Sequence, residues 1–185
     1  MIKPMRKNFK GLITITGPTN SGKSELAEFL IKEQDCVTYI ATSKIRSNDP
    51  EWQKRIEAHR QRRPDSWNLI EHPIDICNTI LSIQGNESIL IDSIGGFVEH
   101  HLLDDEDNWE KHQNNLINAL TNNELGIVIV AEEVGWGIVP ATAIGHLFRE
   151  RHSRLTSLIS HYSSKNWLTI NGTAIELDKI GEPIP

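Results

Sequence analysis

The chain has 185 residues, 38% hydrophobic and 24% charged, with a formal net charge of -6. That length suits one domain with a sizeable core, and the mild acidity supplies no global pull toward nucleic acid or anionic lipid. The longest apolar stretches are strand-length, which excludes a membrane-spanning helix, and the basic start (Lys3, Arg6, Lys7, Lys10) lacks the apolar run of a signal peptide. Residues 1–10 are expected as a short disordered arm, residues 11–185 as a single domain, and the protein as cytoplasmic, without nucleic-acid or membrane partners.

Residues 11–16 read as a buried strand. They run into Gly17, Pro18, Thr19, Asn20, Ser21, Gly22, Lys23 and Ser24, which match the pattern GxxxxGK[ST] at every fixed position. Residues 24–32 then show helical spacing, with Leu26, Ala27, Leu30 and Ile31 on one face. Strand, loop and helix together are the context of a phosphate-binding loop. Its backbone N–H groups and the helix N-terminus offer a site for a polyphosphate. Lys23 is expected to reach the β/γ-phosphates and the Ser24 hydroxyl to hold Mg²⁺.

Residues 37–42 form a second β-branched strand. Asp49 and Pro50 announce a helix as N-cap and first residue, running through Trp52, Ile56 and His59 and stopping before Pro64. A short strand is expected at 67–71, a helix at 74–83, and a strand at 88–92 ending in Asp92. Residues 109–120 look like a surface-exposed helix. Another strand covers 126–131, a loop 132–140 and a long helix 143–162. Residues 167–170 make a further strand, and Asn171-Gly172 asks for a turn into 174–177. Continuous apolar strands alternating with helices predict an α/β fold of the P-loop NTPase-like kind: a mainly parallel sheet, helices on both faces, and a C-terminal antiparallel edge hairpin. Cys36 and Cys77 have no ligand spacing and read as reduced core thiols.

Asp92 ends an apolar strand, the Walker B arrangement that places a carboxylate near Mg²⁺. Asp92-Ser93-Ile94-Gly95 also fits the DxxG pattern of GTPase switches, but the chain has no NKxD segment to read guanine. The second helix carries His59 on one stripe with Trp52 and Ile56, surrounded by Arg55, Arg60, Arg62 and Arg63. A neutral imidazole among guanidinium groups keeps a lone pair for attack on phosphorus. Spacing alone nevertheless reads His59 as a packing or surface residue. The other seven histidines show no ligand spacing. Trp52 and Trp136 are candidate apolar platforms for a substrate, with core packing the stronger expectation for each.

Four segments occur in an order that resembles a known family: the phosphate loop, Tyr39-Ile40-Ala41-Thr42-Ser43, the run Arg55-Ile56-Glu57-Ala58-His59-Arg60-Gln61-Arg62-Arg63-Pro64, and Glu133-Val134-Gly135-Trp136-Gly137-Ile138-Val139-Pro140. The family is the bifunctional adenosylcobinamide kinase / adenosylcobinamide-phosphate guanylyltransferase of cobalamin biosynthesis. The resemblance spans roughly residues 11–177. It implies that ATP or GTP phosphorylates the corrinoid adenosylcobinamide, and that His59 then attacks the α-phosphorus of GTP to form a guanylyl-histidine. The substrate phosphate takes the GMP, giving adenosylcobinamide-GDP. The resemblance places nucleotide contacts on residues 17–24, on Ile45, Arg46 and Ser47, on Arg60, Gln61, Arg62 and Arg63, and on Glu71 and Asp92. It also implies a homotrimer.

Three departures from the family pattern stand out. Pro18 and Asn20 replace the usual Gly and Arg, so one positive charge is missing near the phosphates. Glu132 replaces a common Asn before Glu133. Two extra residues lie between Ser43 and Arg55. Two alternatives stay open: a different small-molecule P-loop kinase with a structural His59, and a regulatory GTP-binding switch.

Overall fold

The computed structural model describes residues 2–44, 57 and 60–184. Its seven strands are β1 (Gly11–Gly17), β2 (Val37–Ala41), β3 (Asn68–Glu71), β4 (Ser88–Asp92), β5 (Gly126–Glu132), β6 (Lys165–Ile170) and β7 (Thr173–Glu176). They form one sheet in the order β3-β2-β4-β5-β1-β6-β7. Every neighbouring pair is parallel except β6 and β7. The helices are α1 (Lys23–Ile31), α2 (Ile76–Ser82), α3 (Gly95–His100), α4 (Glu106–Thr121) and α5 (Ala143–Tyr162). The expected helix from Asp49 through Trp52, Ile56 and His59 lies outside the described residues, apart from its helical end at Arg60, Gln61 and Arg62.

The sheet is covered on both faces, which is why its central strands read as unbroken apolar runs. Ile13, Ile15, Leu90, Val128 and Val130 pack with Leu26, Leu30 and Ile31 of α1. Their strand neighbours Ile89, Ile91, Ile127 and Ile129 point the other way, to residues of α2, α4 and α5. Each fully buried aliphatic side chain contributes roughly 1.5–3 kcal/mol. The hairpin turn is as expected. Asn171 and Gly172 have φ of 49° and 73°, the pair of left-handed residues that a two-residue turn between twisted strands requires.

Four expectations are corrected. The basic arm is laid against α1: Met5 N donates to Leu30 O at 2.7 Å, Gln34 binds the carbonyls of Met5 and Arg6, and Phe9 is buried. The helix expected at 109–120 starts earlier, because the Asp105 carboxylate caps it through Asn108 N at 2.9 Å. It is not a surface helix throughout, since Trp109, Leu116, Ile117 and Leu120 enter the core. Helix α3, not expected from sequence, opens on Gly95 and Gly96, whose low helix propensity gives it no helical signature. Cys36 is exposed rather than a core thiol; burial and Asp75 push the half-buried Cys77 thiol up to about 11.

Candidate functional site

Gly17 closes β1 where there is no room for a side chain. A Cβ there would overlap the Thr169 carbonyl and sit 2.5 Å from Thr169 Oγ1 and 2.8 Å from Ser21 Oγ. The loop that follows is braced on β6. Thr169 Oγ1 donates to Thr16 O at 3.2 Å, so in the 2.7 Å contact between them Ser21 Oγ donates to Thr169 Oγ1. Gly172 N donates to Ser21 O at 3.2 Å. Asn20 and Gly22, with φ of 58° and 98°, turn the chain into α1. No side chain caps that helix start, which leaves its first-turn N–H groups to an anion. Lys23 is 9% exposed, and its Nζ donates to Pro18 O at 2.7 Å. Ser24 is half-buried beside it; Pro18, Thr19 and Asn20 form the outer lip. Gly17→Ala is expected to cost about 3 kcal/mol through overpacking, a melting-point loss on the order of 10 °C. Thermal unfolding checks this, and an unchanged melting point contradicts it.

The arginine run reaches the same corner. Arg62 forks onto Glu28, Nε to Oε2 at 3.1 Å and Nη2 to Oε1 at 3.2 Å, and its Nη1 lies 3.2 Å from Glu25 Oε1. Both carboxylates belong to α1. The Arg63 guanidinium lies 4.3 Å from the centre of the Tyr39 ring, and Tyr39 OH donates to Asp92 Oδ2 at 2.7 Å. Burial, reinforced by the Asp92 charge and hydrogen bond, raises the Tyr39 pKa, so the phenol stays a donor. A continuous path thus joins α1, Arg62, Arg63, Tyr39 and Asp92. β5 separates the Asp92 strand from β1, so Asp92 stands two strand spacings from the loop, roughly 10 Å.

The remaining sites predicted from sequence divide. Glu71 is exposed at the end of β3, four strand spacings from β1, roughly 19 Å, so it is not brought to the phosphate loop. Arg60 and Gln61 are exposed, and Gln61 Nε2 donates to Glu57 Oε1 at 3.0 Å. His59, Ile45, Arg46 and Ser47 lie outside the described residues, as does Trp52. Trp136, expected in the core, is 60% exposed.

Glu132, expected in a loop, is the last residue of β5, paired in register with Gly17. Its carboxylate accepts from the Ser93 hydroxyl and meets His152 Nε2 at 3.1 Å; the His152 ring is fully buried. Burial opposes its ionisation, but the His152 and Ser93 hydrogen bonds outweigh that and hold the carboxyl below its usual range. A depressed carboxyl stabilises the fold above its unfolded value and loses that contribution as pH falls through the folded one. The advantage of wild type over Glu132→Gln, about 1 kcal/mol after allowance for solvent screening, is therefore expected at pH 7. Urea titrations between pH 7 and 3 are expected to show it vanish; a difference independent of pH contradicts the assignment. Glu133 beside it ties two loops together. Its N–H donates to Gly17 O at 2.8 Å, and its carboxylate accepts from Gly135 N at 2.5 Å.

A cavity of about 240 Å³ opens over the carboxyl ends of β2, β3 and β4, lined by Thr42, Lys44, His72, Ile74, Gly96 and His100 among others. Among the described residues no helix is long and apolar enough to cross a membrane.

A GxxxxGKS loop between a parallel β1 and α1, with a strand-end aspartate two strands away, defines a P-loop nucleotide-binding α/β protein. The likeness to known proteins narrows that class. The chain belongs to the cobinamide kinase / cobinamide phosphate guanyltransferase family, whose model matches residues 13–177, and is therefore a transferase. It is 33% identical over 181 residues to the bifunctional adenosylcobalamin biosynthesis protein CobU of Escherichia coli K12, covering 90% of this chain and 99% of that one. It is 31% identical over 173 residues to the bifunctional adenosylcobalamin biosynthesis protein CobP of Pseudomonas aeruginosa, covering 92% and 98%. Among solved structures, PH0250 of Pyrococcus horikoshii OT3 superposes with a TM-score of 0.50 at 9% identity, over 95% of this chain and 91% of that one. That last likeness concerns the fold alone.

Proposed function

We propose that this chain phosphorylates the aminopropanol hydroxyl of adenosylcobinamide with ATP or GTP and then transfers GMP from GTP to the new phosphate. The observation that carries the reading is the family match across nearly the whole chain, joined to a phosphate loop whose helix α1 is clasped by Arg62. In the second reaction a nitrogen of His59 attacks the α-phosphorus and pyrophosphate leaves. The substrate phosphate oxygen then displaces the imidazole, yielding adenosylcobinamide-GDP and free His59. A phosphoramidate keeps a high transfer potential, so one difficult displacement becomes two easier ones.

The loop N–H groups and Lys23 hold the phosphates, while the path from Arg62 to Asp92 fixes the far wall. The Ser24 hydroxyl and the Asp92 carboxylate are oxygen donors of the kind a hard cation takes, so these two residues would hold Mg²⁺, which neutralises phosphate charge when bound. Residues 11–185 work as one catalytic domain, in the cytoplasm, and three copies assemble as in the family it resembles.

The test is chemical. Wild-type protein is incubated with GTP labelled at the α-phosphate, denatured, and examined for acid-labile, alkali-stable label on the chain. Label of that kind supports the guanylyl-histidine. An active protein that never carries label is a simple kinase, and binding without turnover marks a switch; either result overturns the reading.

A further inference from the structure

At the wall of this cavity, where His101 is part of the lining, a second cluster of side chains falls outside the nucleotide chemistry. Asp104 Oδ2 lies 2.9 Å from His101 Nδ1 and 3.5 Å from His112 Nε2. The two imidazoles stack, with centroids 3.8 Å apart and an interplanar angle of 24°, and so present nitrogens to the same carboxylate. All three donor atoms lie within 4.8 Å of one another. A tetrahedral dication with ligands at about 2.0–2.2 Å wants its donors roughly 3.3–3.6 Å apart, so coordination requires the two stacked rings to splay and the three donors to draw together around the ion.

The scaffold beneath the cluster is rigid. Arg151 of α5 is 5% exposed. Its Nη1 donates to the carbonyls of His101 and Leu102 at 2.9 and 3.2 Å, and its Nη2 to that of Asp104 at 2.8 Å. The same guanidinium lies 4.8 Å from the centre of the Trp109 ring, one turn before His112 on α4. One buried cation therefore fixes the 101–104 turn against the helix that carries the third donor. Its charge is spent on those carbonyls and on Glu106 Oε2 at 3.4 Å.

The local electrostatics favour a cation. Asp104, Asp105, Glu106 and Asp107 follow one another in sequence. The donors are half-buried, so the cluster is shielded yet reachable.

We propose that His101, Asp104 and His112 form a site for a transition-metal dication of the Zn²⁺ type. Two imidazoles and one carboxylate match the ligand preference of such ions and leave a tetrahedral ion one position for water. The competing arrangement is a carboxylate that only accepts two imidazole N–H bonds.

The experiment uses the full chain, stripped of metal by a chelator and free of nucleotide, titrated with Zn²⁺ against a chromophoric chelator and with Co²⁺ by visible absorption. The expected result is one Zn²⁺ per chain and an intense Co²⁺ ligand-field band, with affinity at least about 100-fold weaker in His101→Gln, Asp104→Asn and His112→Gln. His112 lies on a helix face, and circular dichroism verifies that its Gln variant is folded. Exposed Glu110→Gln leaves binding unchanged. No Zn²⁺ bound at about 100 μM free ion, which lies between millimolar and micromolar affinity, overturns the site. So does undiminished binding in folded His112→Gln. Neither outcome bears on guanylyl transfer.

Discussion

His59→Ala is expected to phosphorylate adenosylcobinamide at close to the wild-type rate while accepting no label from α-labelled GTP. Its guanylyl transfer is expected to fall by at least about 10⁴-fold, the scale seen when a covalent nucleophile is removed, or roughly 5.5 kcal/mol of barrier. The selectivity follows from the division of labour. Phosphoryl transfer to the alcohol depends on the loop, Lys23 and Asp92, none of which the substitution touches. Guanylyl transfer without the imidazole must bring two anionic phosphates together directly. The anchors that follow His59 remain, since Arg62 still forks onto Glu28 and Arg63 still covers Tyr39, so loss of positioning does not mimic loss of the nucleophile. Separate assays of the two half-reactions read the split. Equal losses in both halves, or transfer retained within tenfold, identify His59 as a structural residue.

The fold was legible where the sequence carries period and punctuation. Apolar runs at 11–16, 88–92 and 126–131 became adjacent parallel strands because both sheet faces are covered, and Asn171-Gly172 made its turn. The misses have local causes. Helix α3 begins with two glycines, and Asp105 moves the start of α4 by a cap that lies before any periodic residue. The phosphate loop was visible because its chemistry sits in eight consecutive residues. Tyr39, by contrast, joins Arg63 to Asp92 only through the adjacency of β2 and β4, which no linear spacing encodes. The same holds for Glu132 with His152 and for the His101, Asp104 and His112 group. Each joins separate elements, His152 of α5 to the end of β5 and His112 of α4 to the 101–104 turn.

Lys23→Ala is expected to reduce kcat/KM by about 10³-fold in phosphoryl transfer, the upper range for a single preorganised donor to developing charge, or roughly 4 kcal/mol. The size rests on how the loop is charged. Among residues 17–24 Lys23 is the sole cation, because Asn20 stands where the family pattern carries an arginine. The ammonium is held against the Pro18 carbonyl at 9% exposure, so it meets phosphate from a largely desolvated position, where a charge acts more strongly than in water. Stability should change far less, since a single hydrogen bond contributes about 1 kcal/mol; a melting point within a few degrees of wild type separates the catalytic from the structural effect. Asn20→Arg on the Lys23→Ala background restores a cation to the loop and is expected to recover part of the rate. The guanylyl half-reaction then discriminates between two arrangements of the enzyme. If both transfers use the one loop, α-label on His59 falls in parallel with kinase activity. If GTP for guanylylation sits elsewhere, labelling persists while phosphorylation is lost. Arg62 and Arg63, tied to α1 and to the Tyr39–Asp92 pair, put the arginine run at the loop's own helix, which favours the parallel loss.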